Sequence, residues 1–210
     1  MNKDAGLAFV SDSTLTQAEF AAWLTQRPAA DPNRYELVEG RVVMTPPSSW
    51  PEGEGEIDIA ALLRAHVRER NLGRVFGPSQ GYELPTGDTL AADVTYISVA
   101  RWEAGPRPNP GEFLRIVPDL AIEVISPGSA RRDRVEKRMI YAQAGVREYW
   151  LVDLRRREVT VHEVEAEGRF GPGRVLNESA TLTSAVLPGW SVPVRNLLVD
   201  PAAPPGEAPK

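Results

Sequence analysis

A mixed α/β (α+β) domain, built as a central mixed β-sheet flanked by α-helices, is the architecture this sequence predicts. Three observations lead there. Apolar residues recur at helical spacing in three separate stretches. Strand-like runs rich in Val, Ile and Tyr lie between and after them. One run, Asp119 to Ser126, is apolar almost throughout, as expected for a strand covered on both faces.

The elements follow in order. Thr16-Gln17-Ala18-Glu19 fits a capping box, and Phe20, Trp23 and Leu24 follow at helical spacing, so a short helix is expected from about Gln17 to Gln26. Pro28 and Pro32 stop it. Tyr35 to Met44 reads as two strands around a turn at Glu39-Gly40. Pro46 to Gly55 reads as a loop rich in Pro, Ser and Gly. Ile57, Ala60, Ala61, Leu63, Val67 and Leu72 then define a long amphipathic helix that ends near Asn71 to Gly73. Strands are expected at Val75-Phe76, Tyr82 to Leu84, Asp93 to Ile97 and Asp119 to Ser126. A helix from about Ala130 to Ala144 stops at Gly145. Glu148 to Val152 and Glu158 to Val164 read as a hairpin around the tight connection Asp153 to Arg157, with further short strands up to Leu198. No internal repeat is visible. Residues 1–13 are expected to be an N-terminal tail, 14–199 one domain, and the Pro- and Ala-rich residues 200–210 a disordered tail.

Composition narrows the chemistry. The chain has 210 residues, 42% of them hydrophobic, enough for a packed core. It has no cysteine, which excludes disulfides, thiolate zinc sites and cysteine nucleophiles. His66 and His162 have no metal-ligand spacing, no nucleophile-elbow motif is present, and Gly168 to Gly173 lacks the Lys-Ser/Thr of a phosphate loop. Met1 to Val10 lacks a basic start and a long apolar run, and no stretch approaches the roughly 20 apolar residues of a membrane span. A soluble, cytoplasmic protein is the expectation. The net charge of −5 counts against nucleic-acid binding, whereas the octapeptide Arg131 to Arg138 holds five basic and two acidic residues, a local +3. A solvated helix face explains such a run equally well.

Two acidic residues stand out. Glu123 lies between Ile122 and Val124 in the apolar run, where a carboxylate must be paired, hydrogen-bonded or metal-bound. Asp93 begins another strand. Carboxylates from neighbouring strands, with positions left for water and phosphate oxygens, describe a Mg2+ (or Mn2+) site that can activate water and stabilise charge on a phosphodiester. A salt-bridged Glu and a turn-capping Asp are the alternative. Asp133, Lys137 and Tyr141 recur at a spacing of four, so Lys137 either reaches over the Glu123 strand end or forms a surface pair with Asp133.

The stretch Glu123-Val-Ile-Ser126-Pro127, followed by Asp133, Lys137, Tyr141, Gly145-Val146, Glu148-Tyr149-Trp150 and Asp153 at their spacings, resembles the Uma family of restriction-endonuclease-like proteins. Tyr35-Glu36-Leu37 with Gly40, Asp93-Val94, and Val186-Leu187-Pro188-Gly189 match further blocks, so the resemblance covers roughly residues 15 to 198. It implies the PD-(D/E)XK nuclease fold and a metal-dependent endonuclease acting on DNA, with the metal on Asp93 and Glu123. It also implies that Lys137 and Glu36 assist, and that two copies pair as a homodimer. The sequence departs from the family pattern in three places. Ile125 stands where the motif lysine is expected, Ala92 replaces the Pro before the Asp, and the loop Ser49 to Glu56 carries glutamates and no His. The missing lysine and the missing His, together with the acidic net charge, support the alternative reading, a catalytically degenerate nuclease-fold module that binds nucleic acid or protein.

Overall fold

The computed structural model describes residues 8–9, 11, 13–166 and 168–199. The expected C-terminal tail, residues 200–210, lies outside them, as does most of the expected N-terminal one. Of the latter, Ala8–Phe9 forms a short strand (β1) paired antiparallel with Arg41–Thr45 (β3).

The first unit is a sheet that carries Arg34, Glu36 and Thr45 to the site. Helix α1, Gln17–Leu24, starts at the expected capping box: Thr16 accepts from the Glu19 backbone N–H, and the Glu19 side chain accepts from Thr16. Arg34–Val38 (β2) and β3 form the expected hairpin. Its turn puts Glu39 at φ 49° and Gly40 at φ 77°, two successive left-handed residues, as a two-residue hairpin turn of matching twist requires. Helix α2 runs from Glu52 to Glu69, so its first turn takes up part of the expected Pro46 to Gly55 loop. Tyr82–Glu83 (β5) and Thr89–Leu90 (β6), which follow Gly73–Phe76 (β4), complete a five-stranded sheet in the order β1-β3-β2-β6-β5.

The main sheet has seven strands. Val94–Ser98 (β7) leads into a six-residue helix, Val99–Ala104 (α3), then Leu120–Val124 (β8). A π-helical turn, Arg132–Lys137, runs into Arg138–Ala144 (α4), which ends at Gly145 with φ 93°. Glu148–Asp153 (β9) and Glu158–Ala166 (β10) are the expected hairpin, followed by Arg169–Phe170 (β11) and Arg174–Asn177 (β12). The strand order is β11-β10-β9-β8-β7-β4, with β12 also on β10. The β8–β9 pair is parallel and the others are antiparallel, so the sheet is mixed, with the π-turn and α4 as the crossover. Thr181–Thr183 (β13) and Ser191–Pro193 (β14) form a separate ribbon.

Both faces of the main sheet are covered. Leu120, Ile122 and Val124 of β8 pack with Ile59, Leu63 and Val67 of α2 on one side. Ala121 packs on the other side with Ile140, Tyr141 and Ala144 of α4. Strand alternation therefore turns Glu123 toward the α4 side. Gly55 lets α2 close on the sheet, since a Cβ there would stand 3.2 Å from Leu154 Cδ1. Among the described residues, no helix is long and apolar enough to cross a membrane.

Candidate functional site

Sheet register brings the two singled-out carboxylates together. Tyr96, Thr95 and Val94 face Leu120, Ala121 and Ile122 in antiparallel register. One step further along the same pairing sets Asp93 opposite Glu123. Val94 and Tyr96 belong to the α2-side core and Ile97 to the α4-side core, so alternation puts Asp93 on the same face as Glu123. Asp93 Oδ2 accepts from the Val124 N–H at 2.8 Å, and Asp93 Oδ1 receives Arg34 Nη1 at 3.3 Å. Arg34 enters from β2, so the smaller sheet clamps the carboxylate of the larger one.

Glu36 arrives from the same strand two residues on. Its Oε1 accepts from the Ala91 N–H at 2.8 Å and forms an ion pair with Lys137 Nζ at 2.8 Å. Lys137 Nζ also donates to Glu123 Oε1 at 2.9 Å and to the Ala91 carbonyl at 3.3 Å. The ammonium thus has two hydrogen bonds and two carboxylate partners, and Lys137 is only 2% exposed. The surface Asp133–Lys137 pair that the spacing of four allows is not what forms. Glu123 Oε2, by contrast, takes no hydrogen bond among the described residues, although Glu123 is buried.

The π-turn explains a residue that the sequence reading missed. On an α-helix, Arg132 and Lys137 would point about 140° apart. Widening the turn to i→i+5 bonding stacks them nearly one above the other. Arg132, Asp133 and Lys137 are all buried, while Val135 is exposed. The +3 octapeptide is thus no solvated basic face: Arg132 and Lys137 turn inward, and Arg134 pairs with Asp153 at 2.7 Å.

These side chains line one cavity of about 170 Å³. Its charged walls are Glu36, Glu52, Glu56, Asp93, Glu123 and Asp133 against Arg34, Arg132 and Lys137. Glu52 and Glu56 come from the first turns of α2, where the sequence pointed only to a loop of glutamates standing in for a His. Glu56 accepts from the Ser48 hydroxyl. No sequence signal pointed to Arg34. For Arg132 the only signal was its place in the charge run.

Acids outnumber bases, and the protonation states follow. Burial pushes the Glu123 carboxyl well above its usual value; Lys137 opposes this, while Asp93, Asp133 and Glu36 add to it. Glu36 is equally buried, but Lys137, Arg132 and the Ala91 N–H outweigh desolvation and hold it below the usual carboxylate range. Burial pulls Lys137 down, but Glu123 and Glu36 pull it up further, so it stays an ammonium. Burial raises Glu56, and the Asp93 charge adds to the rise. Asp133 is raised by burial as well. Among the described residues, no group of three or more acids and histidines is arranged to cage a metal ion. Neither histidine lines the cavity: His66 bonds the Pro188 carbonyl and packs on Trp190, and His162 packs on Tyr149 and Phe170.

The chain is similar to a crystal structure described as "a putative nuclease belonging to DUF820 from Anabaena variabilis ATCC 29413", with a TM-score of 0.69 over 84% of this chain and 96% of that one. At 17% identity the likeness is one of fold alone. No curated protein matches the chain. Residues 18–195 match the Uma2 family, described as "Putative restriction endonuclease". That match takes in the seven-stranded sheet, the five-stranded sheet apart from β1, and every charged residue lining the cavity, and the chain belongs to the Uma2 family.

Proposed function

We propose that the protein is a Mg2+-dependent DNA endonuclease whose metal is held by Asp93 and Glu123. One observation carries the reading: a carboxylate pair on adjacent strands opens on a cavity with six acids and three bases, and Glu123 Oε2 has no hydrogen-bond partner there. Burying that much negative charge is unfavourable unless a cation joins it. Carboxylate oxygens with room for water are the donors that Mg2+ and Mn2+ prefer, so the residues fit such an ion. Only two carboxylates are offered, which leaves the other positions to water and substrate oxygens.

The bound metal would supply Lewis acidity toward a phosphodiester oxygen and a water of lowered pKa. The chain does the rest. Arg34 and the Val124 N–H fix the Asp93 carboxylate. Lys137, held protonated by Glu36 and Glu123, cannot accept a proton; it anchors Glu123 Oε1 and leaves Oε2 facing the cavity. Glu36 acts as the ionised counter-charge that keeps Lys137 in place. Glu56, with its raised pKa, is the lining carboxylate suited to take a proton from water.

The test is nicking of supercoiled plasmid DNA in Mg2+ or Mn2+, with EDTA and an Asp93→Ala, Glu123→Ala double variant as controls. Metal-dependent nicking that disappears in the double variant is expected. Nicking that survives in it removes the assignment. A second reading, a non-catalytic module on the same fold, is favoured by Asp93, both of whose oxygens are already engaged, and by Ile125 at the motif-lysine position. Calorimetry with Mn2+ separates the two, since the module would bind DNA but no metal. Homodimers are expected of the endonuclease reading, and a monomer by light scattering in the presence of DNA would count against that part.

A further inference from the structure

We infer that Arg132 is the substrate-phosphate ligand of this cavity, a guanidinium kept short of partners until an anion arrives. Naming phosphate as the anion rests on the nuclease reading above.

A guanidinium carries five N–H donors in a planar fork. Arg132 is 5% exposed, yet among the described residues its nitrogens reach a single acceptor within hydrogen-bond distance, the Thr45 hydroxyl, at 3.2 Å from Nη1 and 3.3 Å from Nη2. Its Nε is buried with no hydrogen-bond partner. The nearest carboxylates, Glu36 and Asp133, both stand at 3.8 Å, near enough to attract and too far to bond. Asp133 Oδ1 is likewise buried and unpartnered. Buried arginines are normally paired on most of their donors, because an unpaired buried charge is strongly destabilising. Lys137, one turn away, shows the contrast, with two hydrogen bonds and close ion pairs to Glu36 and Glu123.

Position supplies the rest. Arg132 lines the same cavity as Asp93 and Glu123, and it is there because the π-turn rotates it inward. Single π-turns inside helices are often found at functional sites. A planar fork matches two oxygens of a phosphate, which an ammonium cannot do. Lys137 is already committed to carboxylates, and Arg34 to Asp93, so Arg132 is the cation of this wall left for the substrate. Its facing groups are Glu36, Asp133 and Thr45, with Glu123 and Glu136 contributing at longer range.

The experiment is calorimetric titration of the intact protein with inorganic phosphate in saturating Mg2+, beside Arg132→Lys and Arg132→Gln, with thermal melts of all three. Wild type should bind phosphate, the Lys variant should bind it about tenfold or more weakly, and the Gln variant more weakly still. Mn2+ affinity, measured alone, should not change. Phosphate binding that is equal in wild type and the Lys variant, or absent in wild type, overturns the assignment. Should the Gln variant fail to fold, the charge-preserving Lys variant decides. Phosphate binding is read here without cleavage. A wild type that binds phosphate through Arg132 yet never nicks DNA would sink the endonuclease reading and spare this one.

Discussion

Glu123 and Glu148 are both buried carboxylates on β8 and β9, neighbouring parallel strands of one sheet, and they are treated in opposite ways. Glu148 Oε1 accepts from Trp150 Nε1 at 2.8 Å, and its Oε2 accepts from the Ser184 hydroxyl at 2.8 Å, the Ala185 N–H at 3.0 Å and the Val186 N–H at 3.3 Å. Its lone pairs are filled by uncharged donors of the chain, and it is fully buried. Glu123 has one donor, Lys137, and one free oxygen on a cavity wall. A buried acid that the fold satisfies completely ties elements together; here Glu148 ties the segment before β14 to the main sheet. One that the fold leaves half-satisfied among other acids is poised for a ligand.

The largest effect expected from this contrast is on activity. Glu123→Gln should lower Mg2+-dependent DNA nicking by at least about a thousandfold, because it removes a proposed metal ligand while keeping shape. Glu148→Gln should stay within a few-fold of wild type. If the two variants lose activity equally, the distinction between a filled and an open carboxylate carries no functional meaning.

Stability should rank the other way. Glu148→Ala leaves four donors without their acceptor, one of them the buried Trp150 indole, and should destabilise by about 2–4 kcal/mol. Glu123→Gln, which removes a carboxylate crowded by Asp93, Asp133 and Glu36, should be near neutral in metal-free protein. Lys137→Met is the severe change on the Glu123 side. It strands Glu36 and Glu123 together and should cost about 3–5 kcal/mol. Urea unfolding in EDTA measures all three, and a Glu123→Gln protein less stable than Glu148→Ala would break the ranking.

The sequence made one of these acids visible and not the other. Glu123 interrupts an apolar run, whereas Glu148 follows Arg147 and only heads the run Tyr149-Trp150-Leu151-Val152. What separates them is the set of donors brought by Ser184 to Val186, more than 30 residues away, which no local pattern reports. Elements set by local rules were legible: the Thr16 capping box, the Glu39-Gly40 turn, the β9–β10 hairpin and the Gly145 helix stop. Elements with little periodicity were not. Helix α3 buries none of its residues, and β6 has only two residues. In the site, Asp93, Glu123, Glu36 and Lys137 could be named from motif blocks. Arg132 could not, because a spacing of four assumes an α-helix and the chain makes a π-turn. Glu56 was visible only as a departure from the family pattern, and Arg34 not at all. Both reach the cavity through packing between the sheets and α2, which is a long-range property.

The smallest expected effect is the pH dependence of metal-free stability, and it tests the contrast from the proton's side. Glu123 is raised well above its ordinary 4.5 by burial and its acidic neighbours, and Glu148 is raised by burial but restrained by its hydrogen bonds. Above pH 4.5 and up to each folded value, the native state keeps a proton that the unfolded chain has released. Each group's stabilising contribution is therefore whole below its unfolded value and declines as pH rises through the folded one. Melting temperature in EDTA should fall across that window, and Glu123→Gln should flatten the fall more than Glu148→Gln does. Mg2+ competes with the proton at Glu123 and has no access to Glu148, so the stabilisation it confers should grow with pH in wild type and in Glu148→Gln, and vanish in Glu123→Gln. An unchanged slope in Glu123→Gln would mean that its carboxyl is already satisfied in the folded protein, and the two acids would then be alike after all.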